Sequence, residues 1–283
     1  MADTIPTLYG GSTPHDGPAR RVTVTDLVDA KARGERWPML TSYDVYTAAI
    51  FEQAGIPVLL VGDSAANNVF GYPDTVGVTV DELLPLVRAV VRGTTSALVV
   101  ADLPFGSYQE GPSQAFATAA RFLKEGGAHA VKLEGGARVL PHVELLVSSG
   151  VPVMAHLGLT PQSVHALGGY RVQGRGEAGD QLVADAKAME AAGAFAVVLE
   201  VVPADLAERV TASVAIPTVG IGAGAGCDAQ VLVWTDMAGL TPGPGPKFLK
   251  RYADLRGVLT DAVQSFATDV RDGTYPGPEH GYR

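Results

Sequence analysis

Three acidic residues stand where apolar runs give out: Asp63 after VLLVG, Asp102 after ALVVA, and Glu134 at the end of AVKLE. Carboxylates that face one pocket repel each other, so either some keep a proton or a cation lies between them. A hard divalent ion, Mg²⁺ above all, suits oxygen donors, with water and a chelating substrate completing its shell. Lys132 is interleaved with these acids. Alternate side chains of a strand share a face, so Lys132 and Glu134 point one way while Val131 and Leu133 point the other. A buried ion pair adds little stability by itself. The lysine therefore neutralises Glu134, faces a substrate anion or forms a Schiff base. The surrounding acids favour a charged lysine in contact with substrate. His156, in MAHLGLTPQS, is either a structural residue or one that orients a ligand. Glu200 closes FAVVLE and precedes VVP, an apolar setting that raises a carboxyl toward the general-base range. Its bland alternative is to cap the helix expected in PADLAERV.

These residues need a frame that brings strand ends together. Short apolar runs, expected as strands, cover 37–44, 58–64, 97–105, 130–136, 151–158, 195–203, 216–224 and 231–239. Amphipathic stretches such as VYTAAIFEQAG, TVDELLPLVRAVVRG, SQAFATAARFLKEGG and GDQLVADAKAMEAAG separate them, several ending in glycine as helix C-termini prefer. Thr79 and Asp81 mark a helix start. Apolar strands alternating with helices give a parallel sheet covered on both faces. Eight such units close a (β/α)8 barrel (a TIM barrel), with a doubly wound open sheet as the alternative. In a barrel the active site lies at the C-terminal strand ends. Tyr43, Asp44, Asp63, Ser64, Asp102, Lys132, Glu134, His156 and Glu200 all fall there, whereas the strand starts VLL, ALV, VPV and IPTV are free of charge. An extra helix in VTVTDLVDAKARG is placed to close the barrel floor.

Composition narrows the classes. The chain has 283 residues, 21 Lys and Arg against 30 Asp and Glu, and a formal net charge of −9, so no nucleic acid partner is expected. No run reaches the ~18 apolar residues of a membrane span. Residues 1–20 are rich in Gly and Pro, lack the pattern of a signal peptide, and read as a mobile tail ahead of one catalytic domain over 21–283. The lone Cys227 excludes an internal disulfide and fits a reducing, cytoplasmic setting. GIGAGAG (220–226) lacks the downstream acid of a dinucleotide fingerprint and reads as close backbone approach to a ligand. The segment 160–180 is long for a βα connection, and its glycines with Tyr170, Arg171 and Arg175 suggest a lid or, alternatively, a subunit contact.

VGDS (61–64), ADLPFGSY (101–108), VKLEGG (131–136), HLGLTPQSV (156–164), GGYRVQGRG (168–176), VLEVVP (198–203), PTVGIGAG (217–224) and YPGPEH (275–280) together closely resemble the ketopantoate hydroxymethyltransferase family. The resemblance covers nearly all of the chain after about residue 20, and it departs from the family's usual wording at Ala66-Asn67, Gly77 and 241–248. It implies a barrel of the phosphoenolpyruvate/pyruvate superfamily type. It also implies transfer of a one-carbon unit from 5,10-methylenetetrahydrofolate to 3-methyl-2-oxobutanoate, in homodecamers built from pentamer rings. Carried over by motif, Asp63, Asp102 and Glu134 match an Mg²⁺ site. Asp63, Ser64, Asp102 and Lys132 match the ketoacid contacts, and Glu200 matches the general base. His156 is implied to orient the ligand or relay a proton, and the folate-contacting residues stay unassigned.

Overall fold

The structure is a computed structural model that describes residues 20–282. All but the last residue of the expected N-terminal tail lies outside the described residues. The described residues form two compact units, which divide between Val233 and Trp234.

Eight strands close the first unit into a barrel in which each pairs, parallel, with the next, and the last with the first. They are β1 Trp37–Thr41, β2 Val58–Val61, β3 Leu98–Asp102, β4 Ala130–Glu134, β5 Val153–Gly158, β6 Ala196–Glu200, β7 Thr218–Ile221 and β8 Ala229–Leu232. The helices of this unit are α1 Val24–Ala32, α2 Val45–Gln53, α3 Ala65–Asn68, α4 Val80–Arg92, α5 Pro112–Arg121, α6 Leu140–Ser148, α7 Val164–Leu167, α8 Glu177–Ala191 and α9 Ala204–Ser213. The open-sheet alternative is thereby excluded.

Local chemistry sets the element ends. Thr79 and Glu82 form a reciprocal capping box that starts α4, and Thr23 with Asp26 does the same for α1. Period-two alternation then sorts the strands. Trp37, Met39, Val58, Leu60, Leu98, Val100, Ala130, Met154, Ala196, Val198, Val219, Ala229 and Val231 fill one interior cluster. Each fully buried aliphatic side chain there contributes roughly 1.5–3 kcal/mol relative to exposure. Leu27 and Ala30 of α1 join this cluster, so α1 closes the floor as expected.

Apart from the fifth, which ends at Gly158 as expected, the expected strands run too far at their C-terminal ends, because the chain leaves the sheet soon after its polar residues begin. The eighth is displaced outright: β8 occupies 229–232, and residues expected in a strand form the short helix α10 Trp234–Met237 in the second unit. Ala238 N donates to Trp234 O at 2.9 Å, closing a helical turn, and Gly239 (φ +70°) ends it. Apolar content alone does not separate a short strand from a short helix. The second unit continues with α11, Leu255–Asp272, which has no buried residue.

Candidate active site

Strand parity carries the site upward from the core. On β4, Ala130 belongs to the interior cluster, so Lys132 and Glu134 face inward above it. The same step of two leads from Val100 to Asp102 on β3, from Met154 to His156 on β5, and from Val198 to Glu200 on β6. Neighbouring registers align them: Asp102 pairs with Lys132, and Glu134 with His156. The lower layers of the barrel are thus apolar and the top layer is charged. Asp63 follows β2 in the loop, and its backbone N donates to Asp102 Oδ2 at 3.2 Å.

Lys132 Nζ lies 2.9 Å from Asp102 Oδ2 and 3.9 Å from Glu134 Oε1, so its closer partner is Asp102 rather than the strand neighbour the sequence suggested. Burial opposes its charge, but Asp102, Glu134 and Asp63 together push its pKa above the usual lysine value. His156 sits between two acids, Nδ1 3.2 Å from Glu134 Oε1 and Nε2 3.2 Å from Glu200 Oε2. Burial and the Lys132 charge depress it, yet Glu134 and Glu200 prevail and lift it to about 9. Burial and the charges of Asp102 and Glu134 drive Asp63 well above the ordinary carboxylate range. Asp102 is raised by burial, with Lys132 opposing. Burial acts the same way on Glu134, but His156 and Lys132 hold it below its usual value.

Even with Lys132 and His156 both charged, Asp63, Asp102, Glu134 and Glu200 outnumber them. Asp102 Oδ1 is buried without a hydrogen bond, and Glu134 Oε1 meets only the His156 and Lys132 cations. Among the described residues no three His, Cys, Asp or Glu side chains close on one point as a finished metal cage. Crowded carboxylates, with Asp102 Oδ1 left without a hydrogen bond, fit a hard cation held by few protein ligands, its shell completed by water and substrate oxygens.

The other expected residues divide. Ser64 lies beside the group, its Oγ 2.8 Å from the hydroxyl of buried Tyr43. Asp44 leaves it: its carboxylate caps α2, accepting from Tyr46 N and Thr47 N. Glu200 is free of the capping role, since α9 begins after Pro203 without a side-chain cap. Val201, just after it, adopts φ +49°, a strained setting for a β-branched residue. Hydrogen bonds from Val201 N to Ile221 O (2.8 Å) and from Gln173 N to Val201 O (3.0 Å) hold it there. In the 160–180 segment, Gly168, Gly169, Gly174 and Gly176 all have positive φ. Burial and the charges of Glu200, Asp74, Asp63 and Glu134 raise the Tyr170 phenol, so that ring stands within the field of the site. His165 Nε2 meets Asp74 Oδ2 at 3.2 Å, joining this segment to the loop ahead of α4.

Two residues were missed. Tyr108 and Gln162, both buried, thread between the acids. Each lies in a quoted motif, ADLPFGSY and HLGLTPQS, yet nothing local marks either as facing the carboxylates.

Residues 21–278 match the family model described as ketopantoate hydroxymethyltransferase. The chain is 70% identical over 282 residues to 3-methyl-2-oxobutanoate hydroxymethyltransferase from Frankia alni, covering 99% of this chain and 93% of that one. It is 68% identical to the protein of the same name from Frankia casuarinae, covering 99% and 95%. Among solved structures it is similar to 2,3-dimethylmalate lyase, a PEP mutase/isocitrate lyase superfamily member, with a TM-score of 0.58 at 18% identity over 91% of this chain and 92% of that one. The last likeness concerns the fold.

Proposed function

Because the chain belongs to the ketopantoate hydroxymethyltransferase family, we propose that it transfers a hydroxymethyl group from 5,10-methylenetetrahydrofolate to 3-methyl-2-oxobutanoate, forming 2-dehydropantoate. The reading includes a cytoplasmic homo-oligomer, a decamer, whose catalytic domain spans residues 21–283. Among the described residues no helix is long and apolar enough to cross a membrane. The observation that carries the chemistry is the crowding of Asp63, Asp102 and Glu134 around one charged, buried lysine.

Asp63, Asp102 and Glu134 would hold Mg²⁺, which when bound supplies Lewis acidity to the keto oxygen. Lys132 receives the ketoacid's negative charge, and as a fixed ammonium it favours charge that develops during the reaction. Asp63 and Asp102 add contacts to the ketoacid, and Ser64, backed by Tyr43, offers it a hydroxyl. Glu200 removes the C3 proton. His156 holds the Glu200 carboxylate from one side and Glu134 from the other, which keeps the base aimed and its charge balanced. The carbon so activated bonds to the folate-borne methylene carbon as both of that carbon's bonds to folate nitrogens are given up. One water supplies the hydroxyl, and the nitrogens take the proton released from C3 and the one from water, so that tetrahydrofolate leaves. The Tyr170 segment is suited to cover the mouth and limit water.

The test is direct: purified protein with both substrates and Mg²⁺ is expected to release 2-dehydropantoate, and EDTA to stop it. Turnover of the ketoacid without folate, or product formation untouched by chelation, would contradict the reading.

A further inference from the structure

Gln162 is 4% exposed and lies in the 3-10 turn Pro161–Ser163 that follows β5. Its side chain is engaged at every hydrogen-bonding position. Nε2 donates to Asp63 Oδ2 and to Leu103 O, both at 3.0 Å. Oε1 accepts from the Tyr108 hydroxyl at 2.7 Å and from Gln109 Nε2 at 3.3 Å. Its backbone N donates to Glu134 Oε2 at 3.1 Å. The amide orientation follows from chemistry, because the Leu103 carbonyl only accepts, and a flipped amide would set oxygen against oxygen there.

The three acids share a pattern. Asp102 Oδ2 is taken by Lys132 Nζ and Asp63 N, while Oδ1 has no hydrogen bond. Glu134 Oε2 is taken by Gln162 N, while Oε1 faces His156 Nδ1 at 3.2 Å and carries no further hydrogen bond. Asp63 Oδ2 is taken by the Gln162 amide. We propose that Gln162 is a positioning residue: its amide ties one oxygen of Asp63, and its backbone N one oxygen of Glu134, to the scaffold, which fixes how the two acids face the cation and the ketoacid. Tyr108 supports it, since its hydroxyl fixes Gln162 Oε1 and accepts from Glu134 N at 3.2 Å. Partners that orient ligands in this way commonly change metal affinity by about 10–100-fold. The inference rests on the function proposed above.

Gln162→Met removes the amide at nearly constant volume, and Tyr108→Phe removes only its hydroxyl support. Mn²⁺ binding is read by electron paramagnetic resonance titration, alongside thermal stability and the KM and kcat of C3–H exchange in 3-methyl-2-oxobutanoate. The Mn²⁺ Kd is expected to rise about 10–100-fold in Gln162→Met and by a smaller factor, in the same direction, in Tyr108→Phe. A merely structural residue would lower the Tm and leave the Kd of the folded variant unchanged. A wild-type Kd in folded Gln162→Met overturns the assignment, as does a wild-type Kd in Tyr108→Phe should Gln162→Met fail to fold. Wild-type protein that binds no Mn²⁺ would instead sink the metal reading. Gln162 would then stand on a ketoacid KM raised at least about tenfold in its variant, and fall on an unchanged one.

Discussion

Lys132 is charged because Asp102 at 2.9 Å and Glu134 at 3.9 Å from its Nζ, with Asp63, together outweigh the burial that disfavours the ammonium. A lysine whose pKa is raised is a poor imine-forming nucleophile. Borohydride added with the ketoacid is therefore expected to leave the chain unmodified by mass spectrometry, and a Lys132 adduct would refute the anion-holding role. Lys132→Met should raise the ketoacid KM by roughly 10–100-fold, the size of one lost charge-assisted hydrogen bond. The charged residues were legible because strand parity and strand ends are local properties of the chain. The partner of Lys132 was not, because register between β3 and β4 decides it. Gln162 and Tyr108 escaped for the same reason: their value lies in contacts to residues up to 99 positions away.

Between elements, the end of β5 is fitted to the end of β6. Gly158 has φ +92°, and a Cβ there would lie 2.4 Å from Glu200 O and 2.7 Å from Val202 Cγ1. Gly158→Ala is expected to cost more than about 1 kcal/mol in urea unfolding and to slow C3 exchange, since Glu200 must shift. Unchanged stability and exchange would show that the junction has slack. Elsewhere, Glu52 at the end of α2 accepts from Thr95 N (3.0 Å), Ser96 N (2.7 Å), Ala97 N (2.7 Å) and Thr95 Oγ1 (2.8 Å). Burial works against its charge, but these donors hold its pKa down at about 2 against an ordinary 4.5. A depressed carboxylate stabilises the fold above its unfolded pKa and loses that effect as pH falls through the folded one. The unfolding midpoint of Glu52→Gln should lie below wild type at neutral pH and converge with it between about pH 4.5 and 2. A constant offset would contradict this. The element sequence was readable from apolar periodicity, capping residues and glycine stops. The start of β8 was not, because a four-residue strand leaves too little pattern to distinguish it from the helix that follows.

At the scale of the molecule, the barrel was legible from the count of repeating units, since eight parallel strands leave no unpaired edge. The proposed assembly would leave a fainter trace. Leu259, Val263, Phe266 and Val270 recur at three- and four-residue steps along α11 and are all exposed, an apolar row that suits a contact between copies. Val263→Asp is expected to lower the mass of the assembly in light scattering, and an unchanged mass would free α11 of that role. In the proposed function everything chemical converges on one event, loss of the C3 proton of 3-methyl-2-oxobutanoate to Glu200 beside a cation that Asp63, Asp102 and Glu134 would hold. Deuterium exchange at C3, followed by proton NMR in D₂O, isolates that event from folate chemistry. Wild-type protein should exchange in the presence of Mg²⁺ and stop with EDTA. Glu200→Gln should bind ketoacid and metal yet exchange more than about a hundredfold more slowly, as loss of a general base implies. Exchange at the wild-type rate in Glu200→Gln, or exchange indifferent to EDTA, would contradict the account.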